Sequence, residues 1–430
     1  MRAIPRGEHH FPEEDIGRNV LTVLDGLTDA GYEAYLVGGS IRDGLIGLHP
    51  KDFDVATSAH PEEIKQVFQR NCRLIGRRFR LAHVRFGREI IEVATFRACH
   101  SKASKENDHH SAQSEEGMLL RDNVFGTLEE DAVRRDFTAN ALYYRHTDGA
   151  VLDFVNGYED IQNNTLRLIG DPEQRYREDP VRMLRAVRFA AKLDFDIESA
   201  TAAPINEVAD LLGQIPPARL FEEVLKLFLS GHALAVWPLL NDYGLAKWLF
   251  PLSVEESNPN PAMQKMIELA LRNTDARLAQ GKPVTPAFLF AVLLWGPLLN
   301  QWQRVKDNGV HPAPALQKAI QKVTYKQSQH TSIPKRFGQP MREMWELQNR
   351  LGNRSLKRCQ SLIQHPRFRA AYDLLLLREE AGEIEPGLGQ WWTQYQEANE
   401  EQRNEMCTSL GNNKPRRRRR PRNKKRPASE

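Results

Sequence analysis

The spacing of apolar positions changes near residue 171, and that change divides the predicted elements into two classes. In the first third, short apolar runs alternate with helix-spaced segments. Ala34-Tyr35-Leu36-Val37 reads as a buried strand stopped by Gly38-Gly39, with Ser40 placed to cap the helix that follows. Asp52-Phe53-Asp54-Val55 has the period of two expected of a strand, and Ser58 and Pro61 open a helix continuing through Phe68. Leu81–Phe86 and Glu89–Phe96 are strands joined at Gly87-Arg88 in a hairpin. Residues 98–117, rich in Ser, His and Glu, read as a mobile loop, and Val151–Val155 as a last strand. Beyond Asp171 the strand signals nearly vanish. Asp179 as N-cap and Pro180 at the first helical position open a helix to about Lys192. Helical spacing recurs over Pro217–Ser230, Ala233–Leu249, Ala262–Arg277, Pro286–Leu294, Ala313–Val323, Met341–Leu351 and Arg369–Glu380, without a fixed repeat. From about Asn404 the chain turns to Arg, Lys, Pro, Asn and Ser, a composition that builds no core and predicts a disordered tail.

Composition keeps this picture and sharpens its end. Apolar residues at 40% and charged residues at 27% fit a globular protein. The longest apolar stretch, Phe288–Leu299, is interrupted by Pro297 and reads as a buried helix rather than a membrane span. The first fifteen residues lack the apolar core of a secretory signal, and Cys72, Cys99, Cys359 and Cys407 are too scattered for a disulfide scaffold or structural zinc. A reducing cytoplasm is therefore the expected location. The formal charge of +4 conceals an asymmetry: Lys414–Arg426 holds ten basic residues and no acidic one, so removing those ten leaves −6 for the rest of the chain. Arg416, Arg417, Arg418, Arg419, Arg420, Lys424, Lys425 and Arg426 form a polyanion-binding arm on a mildly acidic body.

The residues with chemistry cluster in the first half. In a strand, Asp52 and Asp54 project from one face while Phe53 and Val55 point to the core. Two adjacent carboxylates repel unless a cation separates them, and Mg²⁺, a hard ion taking oxygen ligands, suits them. An isolated Asp-x-Asp is more often a solvated strand edge, so the context decides. Upstream, Gly38-Gly39-Ser40-Ile41-Arg42 forms a strand-to-helix turn whose amides can approach phosphate oxygens, with Ser40 and Arg42 as further donors. Glu92, in the strand after the hairpin, is a third carboxylate that faces the other two or forms a structural salt bridge. Arg182, Arg185 and Arg188 recur every three residues, a drifting stripe that by itself is usually a solvated helix face.

Taken in order, LVGGSIRDGLIG, KDFDVAT, Arg134-Arg135-Asp136-Phe137-Thr138-Ala139-Asn140 and the run Arg177–Phe189 resemble the nucleotidyltransferases related to DNA polymerase β. Within these they are similar to the bacterial class of tRNA CCA-adding enzymes and poly(A) polymerases. Leu74–Val84, Ile90–Arg97 and Ile215–Leu227 resemble the poly(A)-type version, as do the helical remainder and the arginine-proline tail. The resemblance implies an α+β nucleotidyltransferase head with a small mixed sheet, then an all-α neck and body and a disordered basic tail. The implied boundaries are a flexible N-terminus over 1–14, the catalytic head over 15–170, a neck for nucleotide base and RNA over 171–232, an RNA-binding body over 233–403 and the tail over 404–430.

The implied activity is template-independent transfer of AMP from ATP to RNA 3′-hydroxyl ends, with release of pyrophosphate and a role in mRNA turnover. Asp52 and Asp54 would hold two Mg²⁺ ions, with Mn²⁺ as substitute. Asp136 counts among the catalytic carboxylates of the resemblance, and Glu92 competes with it for the role of third acid, Asp136 being favoured for functional essentiality and Glu92 for direct metal contact. Gly38, Gly39, Ser40 and Arg42 would bind the triphosphate. Arg134, Arg135, Asn140, Asp179, Arg182 and Arg185 would bind the nucleotide, with Asp179 and Arg182 reading the base as an acceptor and donors. The implied partners are RNA 3′ ends of mRNA, small RNA or tRNA, together with proteins of RNA turnover, and no membrane. The alternatives are a CCA-adding enzyme, which shares the catalytic motifs, and an RNA-binding protein with a decayed site, against which the intact Asp52/Asp54 pair stands. A signal-nucleotide synthetase or hydrolase lacks support, since no paired His-Asp metal motif is present.

Overall fold

The computed structural model describes residues 1–50, 52–76, 80–98, 111–113, 119–122, 124–257 and 260–410. The basic arm of Arg416–Arg420 and Lys424–Arg426 and most of the loop at 98–117 lie outside them.

The alternating elements of the first third form β1 (Arg2–Ile4), α1 (Arg18–Asp29), β2 (Ala34–Val37), α2 (Gly39–Leu45), β3 (Asp54–Thr57), α3 (Pro61–Phe68), β4 (Cys72–Ile75), β5 (Leu81–Phe86) and β6 (Glu89–Thr95). A short strand, β7 (Ser111–Gln113), lies in the segment expected to be loop and pairs antiparallel with β8 (Leu119–Asp122) just beyond it. Then come α4 (Leu128–Val133), β9 (Leu142–Arg145), β10 (Ala150–Asp153), α5 (Gly157–Gln162), α6 (Pro172–Glu178) and α7 (Val181–Leu193). Eight strands make one mixed sheet in the order β1-β10-β9-β2-β3-β6-β5-β4, with β3 and β6 parallel and the other pairs antiparallel. Tyr35, Val37, Ala56, Phe96, Tyr143 and Leu152 build the core under one face. Helix α1 buries Val20, Val23, Leu24 and Leu27, an i, i+3, i+4, i+7 stripe, and packs on the sheet beside α3. Helix α3 begins at Pro61 behind a reciprocal cap in which the His60 amide donates to Glu63 Oε2 at 2.7 Å.

Three boundaries differ from expectation. The β3 ladder starts at Asp54, not Asp52, because its partner β2 ends opposite it at Val37, where Gly38 turns at φ +82°. The same turn lets α2 begin at Gly39. Ser40 therefore falls inside the first turn, where its hydroxyl donates back to the Val37 carbonyl instead of capping the helix. Asp179 closes α6 with extended φ/ψ instead of capping α7, whose N-cap is Pro180. Its side chain is thereby left for longer-range contacts.

The remainder is helical among the described residues, apart from a two-stranded parallel pair, Thr165–Leu166 with Asp196–Ile197. The stretch expected as one helix over Ala233–Leu249 is two, Ala233–Asp242 and Ala246–Leu249, broken at Gly244 with φ +62°. The stretch Phe288–Leu299, expected as one buried helix, is shared between two, Pro286–Leu293 and Trp295–Asp307, and the second accommodates Pro297 in its first turn, where the missing amide is not needed. Glu400–Ser409 is also helical, six residues beyond the expected start of disorder, and Asn399 and Gln402 cap it reciprocally. The chain divides into two compact units. One comprises Met1–Pro251, Thr274–Gly281 and Gln329–Ser332; the other comprises Leu252–Asn273, Lys282–Ser328 and Ile333–Glu430. The second has its own core around Leu375, Trp392 and Tyr395.

Candidate active site

Strand register builds the first half of the site. Val37 lies opposite Asp54, Asp54 opposite Glu92, and Glu92 opposite His83, so Asp54 and Glu92 occupy one row on neighbouring parallel strands. Asp52 precedes the ladder but stays close enough to act on Asp54. Both aspartates reach solvent, yet protein surrounds much of the Asp54 carboxyl. Partial burial first, and the charges of Glu92 and Asp52 after it, push its pKa up to about 6 against the opposing pull of Arg135. Among the described residues, Asp54 has no ion-pair partner, while Glu92 has His83 Nε2 at 3.4 Å. No three His, Cys, Asp or Glu side chains among the described residues already converge on one metal position. The oxygen donors fit a hard cation that completes its shell with phosphate and water, and the unrelieved repulsion at Asp54 is what such a cation removes.

The second half is a fully used hydrogen-bond network. Asp136 Oδ1 accepts from the Phe137 amide at 2.8 Å and from Asn140 Nδ2 at 3.2 Å. Its Oδ2 accepts from Arg185 Nε at 2.7 Å and also from Arg185 Nη2. A carboxylate offers about four acceptor positions, and all are taken. Burial alone would raise the Asp136 pKa, but the Arg185 charge and these hydrogen bonds outweigh it and hold the group at about 2. Asn140 also accepts from Arg42 Nη1, and Arg42, only 2% exposed, donates to Asp43 Oδ1 through Nε at 2.8 Å. Lys192 Nζ reaches the other Asp43 oxygen at 2.9 Å. The expected triphosphate ligand Arg42 and nucleotide ligand Asn140 are thus bound to each other.

Arg134 and Arg135 hang on a residue that sequence reading missed. Buried Asp131 accepts from Arg134 Nε at 3.2 Å, from Arg135 Nη2 at 2.9 Å and from the Tyr143 hydroxyl at 2.7 Å. Burial opposes ionisation of Asp131, but the two arginines prevail and its pKa is lowered. The spacing of three and four residues on a helix was the available signal. Arg175 Nη2 donates to the backbone carbonyls of both Arg134 and Arg135 at 2.6 Å, tying this turn to α6.

Around Asp179 the local motif acquires a distant partner. Arg219, on the helix Pro217–Phe228, donates through Nη2 to both Asp179 oxygens, at 2.9 and 3.0 Å. Arg182 Nη1 donates to the Arg175 carbonyl at 2.7 Å and to Glu178 Oε2 at 3.1 Å, which leaves its Nη2 and Nε for other acceptors. Nothing local ties Arg219 to a residue forty positions away. The third arginine of the stripe, Arg188, lies 4.7 Å over the Phe189 ring with Nε buried. Arg134, Arg135, Asp136, Asp179, Val181, Arg182, Arg185, Arg219, Glu222, Glu223 and Lys226 line an open cavity of about 600 Å³. Six cations against four acids give it a net positive wall, and its volume suits a nucleotide. Asp52, Asp54 and Glu92 lie outside this lining. Arg135 links the halves: it lines the cavity, acts on Asp54, and has Nη1 3.8 Å from where a Gly38 side chain would begin.

Three family models match the chain: a poly A polymerase head domain over residues 34–167, the "Probable RNA and SrmB- binding site of polymerase A" over 194–255, and a polymerase A arginine-rich C-terminus over 308–426. The poly(A) polymerase I of Salmonella typhi is 49% identical over 432 residues, covering 99% of this chain and 92% of that protein. The CCA-adding enzyme of Lactobacillus helveticus is 37% identical over 233 residues, 54% of this chain and 55% of that one. Among solved structures, the Bacillus stearothermophilus CCA-adding enzyme in complex with CTP superposes with a TM-score of 0.56 at 26% identity, covering 91% of this chain and 82% of that chain. Among the described residues no helix is long and apolar enough to cross a membrane.

Proposed function

The chain belongs to the bacterial poly(A) polymerase family, and from that premise we propose how its own residues carry out the reaction. It is a polynucleotide adenylyltransferase that extends RNA 3′ ends with AMP from ATP. Asp52, Asp54 and Glu92 would hold Mg²⁺. When bound there, the ions would lower the pKa of the RNA 3′-hydroxyl and offset the charge of the pyrophosphate leaving group. The observation that carries this assignment is Asp54 itself, level with Glu92 on the neighbouring strand, with a pKa that burial and that charge raise to about 6. Asp136, with every acceptor position used, fixes Arg185 and Asn140 and acts as a positioning residue instead of a metal ligand.

The turn at Gly38, Gly39 and Ser40 offers backbone amides to the triphosphate, and Arg135 stands between it and the nucleotide cavity. Asp179, steadied by Arg219, accepts from the adenine amino group, while the unused donors of Arg182 face a ring nitrogen. Arg134 and Arg185 line the same wall and supply positive charge to ribose and phosphate. These groups position the α-phosphate for in-line attack, which needs orientation and charge stabilisation more than covalent chemistry.

The expected domain division, with head, neck and body over 15–170, 171–232 and 233–403, belongs to the same proposal, as does RNA binding by the tail. The reaction calls for the cytoplasm, where ATP and RNA ends coexist, with proteins of RNA turnover as natural associates. The test is incubation of the purified protein with labelled RNA, Mg²⁺ and each nucleotide separately. Long products with ATP alone are expected. Addition that stops after three nucleotides and requires CTP would assign the chain to CCA addition.

A further inference from the structure

The helix Pro312–Ser328 contains no acidic residue, yet it carries Lys318, Lys322 and Lys326 at successive spacings of four. At 1.5 Å per residue these lysines span about 12 Å along one side. All three are exposed, and none forms an ion pair among the described residues. The opposite side, with Ala315, Leu316, Ala319, Ile320 and Val323, is buried. Lysines four apart repel each other and weaken an isolated helix by a few tenths of a kcal/mol per pair. Here two such pairs occur in series. Within the stripe, three residues beyond Lys322 and seven beyond Lys318, stands Tyr325, whose side chain is left 68% exposed. A row of unpaired cations with an exposed aromatic ring among them is the arrangement that holds single-stranded nucleic acid: lysines meet phosphates and the ring stacks on a base. A purely acidic protein surface would use the lysines but leave the ring without a role.

We propose that Lys318, Lys322, Lys326 and Tyr325 form a single-stranded RNA contact, made by residues other than those of the candidate active site and the arginine tail. The proposal rests on the reading of the protein as an RNA-extending enzyme. It adds a surface to which no comparison assigns RNA: the residues matching an RNA-binding model are 194–255.

The test measures binding of labelled oligo(A) to the full-length protein without ATP across a salt series. Replacing Lys318, Lys322 and Lys326 together with Gln keeps helix propensity and removes the charge. The log–log salt slope is expected to fall by about 2, at roughly 0.7 for each phosphate the variant no longer neutralises. Tyr325→Ala is expected to weaken binding about tenfold at fixed salt with the slope unchanged, while Tyr325→Phe binds like wild type. Thermal melting confirms that each variant is folded. A triple variant with the wild-type slope, or a Tyr325→Ala variant with wild-type affinity, overturns the proposal. Because binding is read without catalysis, failure of the enzymatic reading appears separately, as wild-type protein that does not extend RNA.

Discussion

Asp54 and Asp136 are the same side chain in one catalytic unit, and the protein treats them in opposite ways. Around Asp54 partial burial, and after it the charges of Glu92 and Asp52, outweigh Arg135 and raise its pKa to about 6. Around Asp136 an arginine, an asparagine and a backbone amide hold it at about 2. The first carboxylate has no ion-pair partner among the described residues, whereas the second carries its own counter-charge. On the proposed reading, the contrast separates a group that binds a cation from a group that holds its neighbours in place.

The largest effect that sharpens this contrast is on turnover. Asp54→Asn should lower AMP addition about a thousandfold or more, the several kcal/mol that a metal site supplies, without unfolding the protein. Steady-state extension of labelled RNA measures it, and a variant with near-normal rate and Mg²⁺ dependence would break the assignment. Asp136→Asn should act through position. Loss of Arg185's counter-charge should cost about 2 kcal/mol of stability, after discounting for its partial exposure, and slow turnover about a hundredfold. Urea unfolding and kinetics on the same preparation check the two together.

Arg219→Ala should be smaller and more selective. Freed from its clamp, Asp179 should lose its fixed direction, so KM for ATP should rise about tenfold and discrimination against CTP should fall. An unchanged ratio of ATP to CTP incorporation would show that Arg219 does not position the base reader. The smallest effect concerns pH and has opposite signs in the two regions. The folded pKa of Asp54 lies above its unfolded value, so the native state holds the extra proton and stability falls as pH rises from 3.8 to about 6. The folded pKa of Asp136 lies below, so its stabilisation is present above 3.8 and is lost as pH falls towards 2. In metal-free buffer above pH 6, Asp54→Asn should therefore raise stability, by on the order of 1 kcal/mol after allowing for solvent screening. Melting of wild type and variant across pH reads the difference.

Much of this was legible in the residues. Strand and hairpin patterns marked β2, β5 and β6 because apolar alternation and Gly87 are local signals. The Asp52/Asp54 pair and the Arg182 stripe were visible for the same reason. What stayed hidden depends on distance. Arg219 on Asp179 and Arg42 turned into Asn140 join residues from different elements, so only the folded chain brings them together, whereas Asp131 beneath Arg134 and Arg135 is a local contact whose helical spacing was there to be read. The surroundings of Asp136 were hidden likewise, since its motif reveals a carboxylate but not that Arg185 and Asn140 donate to it.

The central claim is that the cation belongs to the Asp54 row and not to Asp136. Titration of Mn²⁺ into wild type, Asp54→Asn and Asp136→Asn, each with a non-hydrolysable ATP analogue, tests it most directly through the electron paramagnetic resonance of free Mn²⁺. Asp136→Asn is expected to bind the ion still, and Asp54→Asn to have lost it. Retained binding in Asp54→Asn, with loss in Asp136→Asn, would contradict the claim.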